Sequence, residues 1–230
     1  MHYDTFWAME TGYTMFPGQR RRYAPVYPAY PFSTELWASI TGLPLGFQEL
    51  VTDCVLSFDI LPLLSRATFL THLSPRERSE LLITTRRSAK SYDDFWEACP
   101  CMCISDDLCP VLEKLLSLTL ICYSFIAFGS RSYPTTFRGA RFEITKKISS
   151  FSPISKSEEN CLIWMWVIVI DSWRMERRLS ADGLSMLLGL QSRFPKMRHV
   201  TSITDIANQF LWTSFLTKSV YMYWDDLIRQ

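Results

Sequence analysis

Residues 161–170 read Cys-Leu-Ile-Trp-Met-Trp-Val-Ile-Val-Ile, ten apolar side chains in succession. Such a run has no face to offer to water, whether it forms a helix or a buried strand, so it must be enclosed on every side. A buried parallel strand fits the run. Two features favour a helix: Ser157-Glu158-Glu159 stands just before it, a cap followed by acids that suit the positive end of a helix, and strand candidates are lacking elsewhere. The expected helix runs to Arg174. Enclosing it takes much apolar material. The chain has that, with 48% hydrophobic and 14% aromatic residues, so wholesale disorder is excluded. Gly is scarce, at 8 of 230 residues, which disfavours a β-sandwich or barrel with its many turns. The expected fold is all-α, with about seven to nine helices.

Helical spacing recurs along the chain. Ser33 or Thr34 can cap a short helix through Ile40, and residues 42–46 (Gly-Leu-Pro-Leu-Gly) read as a turn. Phe47, Leu50, Val51 and Cys54 share one face of the next helix. Residues 57–73 continue with Ile60, Leu63, Leu64 and Ala67, and Pro62 is tolerated in a first turn. Ser74-Pro75-Arg76-Glu77 is a strong helix start, leading into a polar segment with Arg78, Glu80, Arg86, Arg87 and Lys90. Ser105-Asp106-Asp107 opens a long helix to about Phe128. One face of it carries Leu108, Leu112, Leu115, Thr119, Cys122 and Ile126, and its only polar strip is Glu113, Ser117 and Ser124. Further helices are expected over residues 135–151, 180–195 and 204–229, with a basic turn at 193–198. On the last helix Ile206, Phe210, Val220, Tyr221, Trp224, Leu227 and Ile228 fall in one arc. Leu211, Phe215 and Met222 fall opposite, as a candidate interaction face.

Residues 1–32 are different. They hold nine aromatics, four prolines and Arg20-Arg21-Arg22, and no helical or strand period fits them. Pro25, Pro28 and Pro31 exclude an internal helix there. The segment reads as an irregular arm, laid on the domain or left as a linker or partner-binding arm, ahead of an all-helical domain over 33–230.

Charge and cysteine usage narrow the function. Lys plus Arg is 24 against 23 acids, a net charge of +1, so no global basic field points to DNA. Seven cysteines and no basic, then apolar, N-terminal leader suggest free thiols in a reducing compartment. A membrane-spanning helix needs about 20 apolar residues, so a soluble intracellular protein is expected. The cluster Cys99, Cys101, Cys103 and Cys109 lacks the paired two-residue spacing of structural zinc sites. It reads as loop cysteines, with a redox patch or a metal site as alternatives. Asp93-Asp94-Phe-Trp-Glu97 matches the aspartate-rich, magnesium-binding pattern of class I terpene cyclases. A prenyl-diphosphate enzyme using Asp93, Asp94 and Glu97 is therefore the alternative reading, although Asn208 is followed by Trp212 and Leu216 where a second metal motif needs polar ligands. No glycine-rich phosphate loop, nucleophile elbow or His-Glu-x-x-His is present, and His2, His72 and His199 are scattered. The expectation is a non-enzyme with no cofactor and no catalytic residue. Asp171, ending the most apolar helix, is either a buried functional acid or a partner of Arg174.

Three stretches taken together carry a resemblance. They are residues 43–50 (Leu-Pro-Leu-Gly-Phe-Gln-Glu-Leu) with 55–61 (Val-Leu-Ser-Phe-Asp-Ile-Leu), then Leu162-Ile-Trp164 with the apolar run, and Phe210-Leu-Trp212 with Trp224-Asp-Asp-Leu227. Their order, with the leucine-rich helix over 110–128 between them, resembles the regulatory region of fungal zinc-cluster transcription factors over residues 33–230. The resemblance implies an all-α stack of helical hairpins that senses effectors, restrains its own activity and contacts co-regulators. The partner would be another transcription regulator or co-regulator, or a second copy of the chain. The location would be the nucleus, or else the cytoplasm, and the setting fungal secondary metabolism. The family's six-cysteine DNA-binding module has no counterpart here, so direct DNA binding by this chain is not expected.

Overall fold

The computed structural model describes residues 24–74, 76, 77, 80, 110–128, 134–175 and 178–228. Nine α-helices lie among them: α1 (Thr34–Thr41), α2 (Leu45–Thr52), α3 (Leu61–His72), α4 (Val111–Phe128), α5 (Pro134–Lys147), α6 (Lys156–Ser172), α7 (Ala181–Arg193), α8 (Val200–Ala207) and α9 (Ser214–Ile228). A two-residue antiparallel ladder, β1 (Arg174–Met175) with β2 (Arg178–Leu179), links α6 to α7. The fold is all-α.

The apolar run is a helix and forms the centre. No residue from 161 to 170 is more than 3% exposed. α6 packs against α2, α4, α5, α7, α8 and α9. Burying one Leu, Ile or Val side chain contributes about 1.5–3 kcal/mol, so this helix supplies the largest single block of core. Its cap is Ser155, not Ser157: the Ser155 hydroxyl accepts from the Glu158 amide at 3.1 Å, and Glu158 accepts from the Ile154 amide at 2.8 Å. Ser157 turns aside and donates to Asp53 Oδ2 at 2.7 Å, tying the start of α6 to the end of α2. Three indoles fix the helix to its neighbours. Trp164 donates to the Leu211 carbonyl (3.0 Å), Trp166 to the Met186 carbonyl (3.1 Å) and Trp173 to Thr145 Oγ1 (3.0 Å).

The expected polar strip of α4 is buried as well. Glu113, Ser117 and Ser124 are fully enclosed. Glu113 accepts from the Ser57 amide at 2.5 Å and the Ser57 hydroxyl at 2.9 Å, and Ser124 folds back on the Leu120 carbonyl. α4 differs from expectation in a second way. It is long and apolar enough by composition to cross a membrane, although Glu113 and Lys114 interrupt the run, and 67% of that window is buried inside the fold.

Other boundaries move for local reasons. The turn expected over 42–46 ends early: Pro44 sets an extended entry, and Gly46 lies inside α2. Cys54, expected on the face of Phe47, Leu50 and Val51, falls past the helix end with a left-handed φ of 57° and is exposed. α3 starts at Leu61 with Pro62 in its first turn, because residues 53–60 make the loop that Glu113 holds. Ser74 and Glu77 form a reciprocal capping box, Glu77 N donating to Ser74 Oγ (3.3 Å) and Ser74 N to Glu77 Oε2 (2.7 Å). Beyond Glu80, the polar segment that follows lies outside the described residues. Residues 24–32 have no regular structure. The Val26 carbonyl accepts from the Phe58 amide at 2.8 Å, Pro28 is buried, and Phe32 stacks on Trp37.

The expected last helix is two helices. α8 stops at Ala207 and α9 begins at Ser214. Between them Phe210 enters the core, edge-on to Phe47 (5.1 Å between ring centres) and stacked on Trp164 (5.5 Å). The Gln209 carbonyl accepts from the Gly46 amide at 2.7 Å. Packing and these bonds outweigh the continuous helical pattern of the sequence. Tyr221, expected with the inward arc, is 41% exposed, whereas Val220 and Trp224 are buried.

Candidate functional site

The sequence candidates divide by position. Asp93, Asp94, Glu97, Cys99, Cys101, Cys103 and Cys109 lie outside the described residues. Among the described residues, no group of three or more His, Cys, Asp and Glu is placed to hold a metal ion. Cys122 and Cys161 are enclosed. Burial pushes the Cys122 thiol up to about 12 and the Cys161 thiol higher still, so neither is a ready nucleophile. The face proposed from Leu211, Phe215 and Met222 is corrected at one member. Leu211 lies in the break before α9, is 1% exposed, and gives its carbonyl to Trp164. Phe215 and Met222 are on α9 and are 48% and 44% exposed.

Phe215 also borders a cavity of about 340 Å³, at the lower end of the range for small-molecule sites. Its apolar walls are Phe125 and Ile126 of α4, Phe137 of α5 and Phe215 of α9. Phe125 and Phe137 stack with ring centres 3.8 Å apart. The polar lining is Arg141 of α5, Asp171 and Ser172 at the end of α6, and Arg174 of β1. Five elements, α4, α5, α6, β1 and α9, thus bring two guanidinium groups and one carboxyl into one aromatic-walled hollow.

Each polar group is partly satisfied. Arg141 Nη1 donates to the Ser172 carbonyl at 2.9 Å, and its guanidinium lies over the Trp173 ring (3.8 Å) and near Phe137 (5.2 Å). Its Nε is buried without a hydrogen-bond partner. Burial lowers the Arg141 pKa, yet an arginine stays cationic at any physiological pH. Arg174 Nε stands 3.5 Å from Asp171 Oδ1, and its guanidinium lies over Phe215 at 5.1 Å. Ser219 of α9 donates to Asp171 Oδ1. Asp171 Oδ2 is buried with no partner, and so is the nearby Tyr223 hydroxyl. Asp171 is thus buried and stands beside Arg174, the pairing that is one of the two alternatives drawn from the sequence.

Burial raises the Asp171 pKa, and the Ser219 hydrogen bond and Arg174 oppose that rise only in part. Burial also raises Tyr223 well above the usual phenol range, and the Asp171 charge adds to this. A carboxyl whose native pKa exceeds its unfolded value binds its proton more tightly when folded. Stability is then full below the unfolded value, falls as pH rises through the raised one, and stays lower above it. Asp171→Asn keeps an oxygen for Ser219 and removes the charge. The variant is expected to melt at or above the wild type near neutral pH and to lose part of the wild type's decline between acid and neutral pH. Thermal melts across that range check this, and an unchanged slope in the variant would overturn it.

Sequence reasoning missed Arg141, Ser219 and Tyr223. Arg141 lies on a helix whose composition reads as a solvated surface, and Ser219 carries no local signal. Only the packing of α5 and α9 against the end of α6 gives them meaning. Comparison with family models, with curated proteins and with solved structures finds no match to this chain.

Proposed function

We propose that this chain is a transcription-regulator-like helical module that acts by binding an effector or another protein, and not by catalysis. The observation that supports it best is that one helix, α9, serves both the cavity and the surface. Phe215 borders the cavity, and Ser219 reaches in to Asp171. Phe215, Tyr221 and Met222 on the same helix are exposed. A ligand that bears on Asp171 or Arg174 can thereby change how α9 sits, and with it the surface that a partner meets. The resemblance to the regulatory region of fungal zinc-cluster factors rests on the sequence motifs, and the all-α fold agrees with it. The proposal includes a nuclear location, a role in fungal secondary metabolism, and a co-regulator or a second copy as partner. It includes no membrane association and no DNA binding by this chain alone.

The reading is tested by joining the whole chain to an unrelated sequence-specific DNA-binding domain in a fungal host. The fusion is expected to change transcription of a reporter carrying that domain's site. Met222→Asp, at an exposed position away from the cavity, is expected to weaken the change without unfolding the chain. A folded, nuclear fusion that leaves the reporter untouched sinks the reading.

A further inference from the structure

The cavity's chemistry is specific enough to name a ligand class. This inference rests on the effector-binding reading of the same cavity. The two arginines and the single aspartate leave one net positive charge when all three are ionised, which matches a monoanion. Arg141 has a buried Nε with no hydrogen-bond partner, and Arg174 has a 3.5 Å contact with Asp171 and lies over the Phe215 ring, so each keeps N–H groups that can serve a carboxylate. Asp171 Oδ2 is buried and unpartnered, a state that costs free energy until a donor arrives. Arg174 Nε stands 3.5 Å from the Asp171 carboxylate, so a ligand whose carboxylate and donor sit on neighbouring atoms is suited to meet both at once. Phe125 and Phe137 are stacked on each other, so together with Phe215 they offer an aromatic ring an apolar wall of ring edges and outer faces. We propose that the cavity binds a small aromatic 2-hydroxycarboxylic acid: its carboxylate on Arg141 and Arg174, its hydroxyl donating to Asp171, and its ring among the three phenylalanines. An aromatic amino acid has the same spacing but no net charge, and would leave the pocket's positive charge unmatched.

Calorimetric titration of the full chain tests this with four probes: mandelate, phenylacetate, phenylacetamide and L-phenylalanine. Mandelate is expected to bind with a dissociation constant of roughly 10 µM to 1 mM, in keeping with a ligand of this size. Phenylacetate, lacking the hydroxyl, is expected to bind about tenfold more weakly, and phenylacetamide, lacking the charge, weaker still. Arg174→Gln is expected to weaken mandelate about tenfold or more. Asp171→Asn is expected to narrow the gap between mandelate and phenylacetate. These comparisons need only folded protein, and the wild-type ranking stands even if a variant fails to fold. No saturable binding of mandelate, equal binding of the amide, or L-phenylalanine binding as tightly as mandelate each overturns the proposal. Equal competition by inorganic phosphate, which marks a general anion site, also overturns it. If mandelate fails while the tethered chain still changes reporter transcription, the ligand class is wrong and the regulatory reading survives. If mandelate binds and the reporter is untouched, the reverse holds.

Discussion

Gly46→Ala is expected to destabilise the fold by about 3 kcal/mol, a large effect for one methyl group. A Cβ at position 46 would lie 2.4 Å from Phe210 Cζ, 2.5 Å from Cε1 and 2.7 Å from Cε2. Those atoms cannot retreat. The Phe210 ring is stacked on Trp164 and set edge-on to Phe47, and all three are buried. The backbone is equally fixed, because the Gly46 amide is bonded to the Gln209 carbonyl. The helical φ of residue 46 is open to any amino acid, so the requirement for glycine is one of close approach alone. That gives a sharp control. Phe210→Ala by itself costs about 4 kcal/mol through the space it empties. In the double variant the new methyl group meets no ring, so the two losses add to less than their sum by about 2 kcal/mol. Urea titrations of the four proteins measure the coupling. Strict additivity would show that Phe210 is not what excludes a side chain from position 46.

Glu113→Ala is expected to cost about 3 kcal/mol, and Glu113→Gln less than about 1. Glu113 is fully buried in α4, and its two oxygens take the amide and the hydroxyl of Ser57, 56 positions away in the chain. Alanine leaves the buried Ser57 amide with no acceptor and opens a void. Glutamine repairs both, since its amide oxygen accepts from the backbone and its amino group donates to a Ser57 hydroxyl that turns to accept. The contrast separates hydrogen bonding from charge. Equal losses in the two variants would mean that the negative charge itself matters there. Because Ser57 belongs to the loop between α2 and α3, the alanine variant is also expected to loosen that loop first, read as faster amide exchange near Ser57.

The sequence showed those parts of the fold that local chemistry decides. Ser33 caps the helix that follows it, and Ser74 pairs with Glu77. Each is a serine ahead of a helical pattern and depends on nothing distant. Ser155 was hidden because Ser157 stands in as good a local position, and only Asp53, about a hundred residues away, draws Ser157 aside. The break between α8 and α9 was hidden for a similar reason. Residues 208–213 contain neither Gly nor Pro, and the interruption comes from Phe210 finding Phe47 and Trp164. The cavity was half legible. A carboxylate ending an all-apolar helix invites a question, so Asp171 stood out. Arg141 did not, because a cationic side chain on a polar helix is ordinary until a tryptophan and a carbonyl are laid beside it.

The uniform coat of α6 has a further consequence, one of degeneracy. Burial rewards the removal of apolar surface from water without regard to direction. A helix that is apolar all round therefore loses little when it is turned about its own axis, and burial alone would leave several settings nearly equal. The indole bonds from Trp164, Trp166 and Trp173 break the tie, since each reaches a fixed acceptor on a different neighbour: the segment before α9, α7 and α5. Only one rotation satisfies all three. The ten apolar residues thus provide the cohesion, and three N–H groups provide the orientation. Asp171 follows directly from that run, so the same three bonds decide that it faces Ser219 and Arg174.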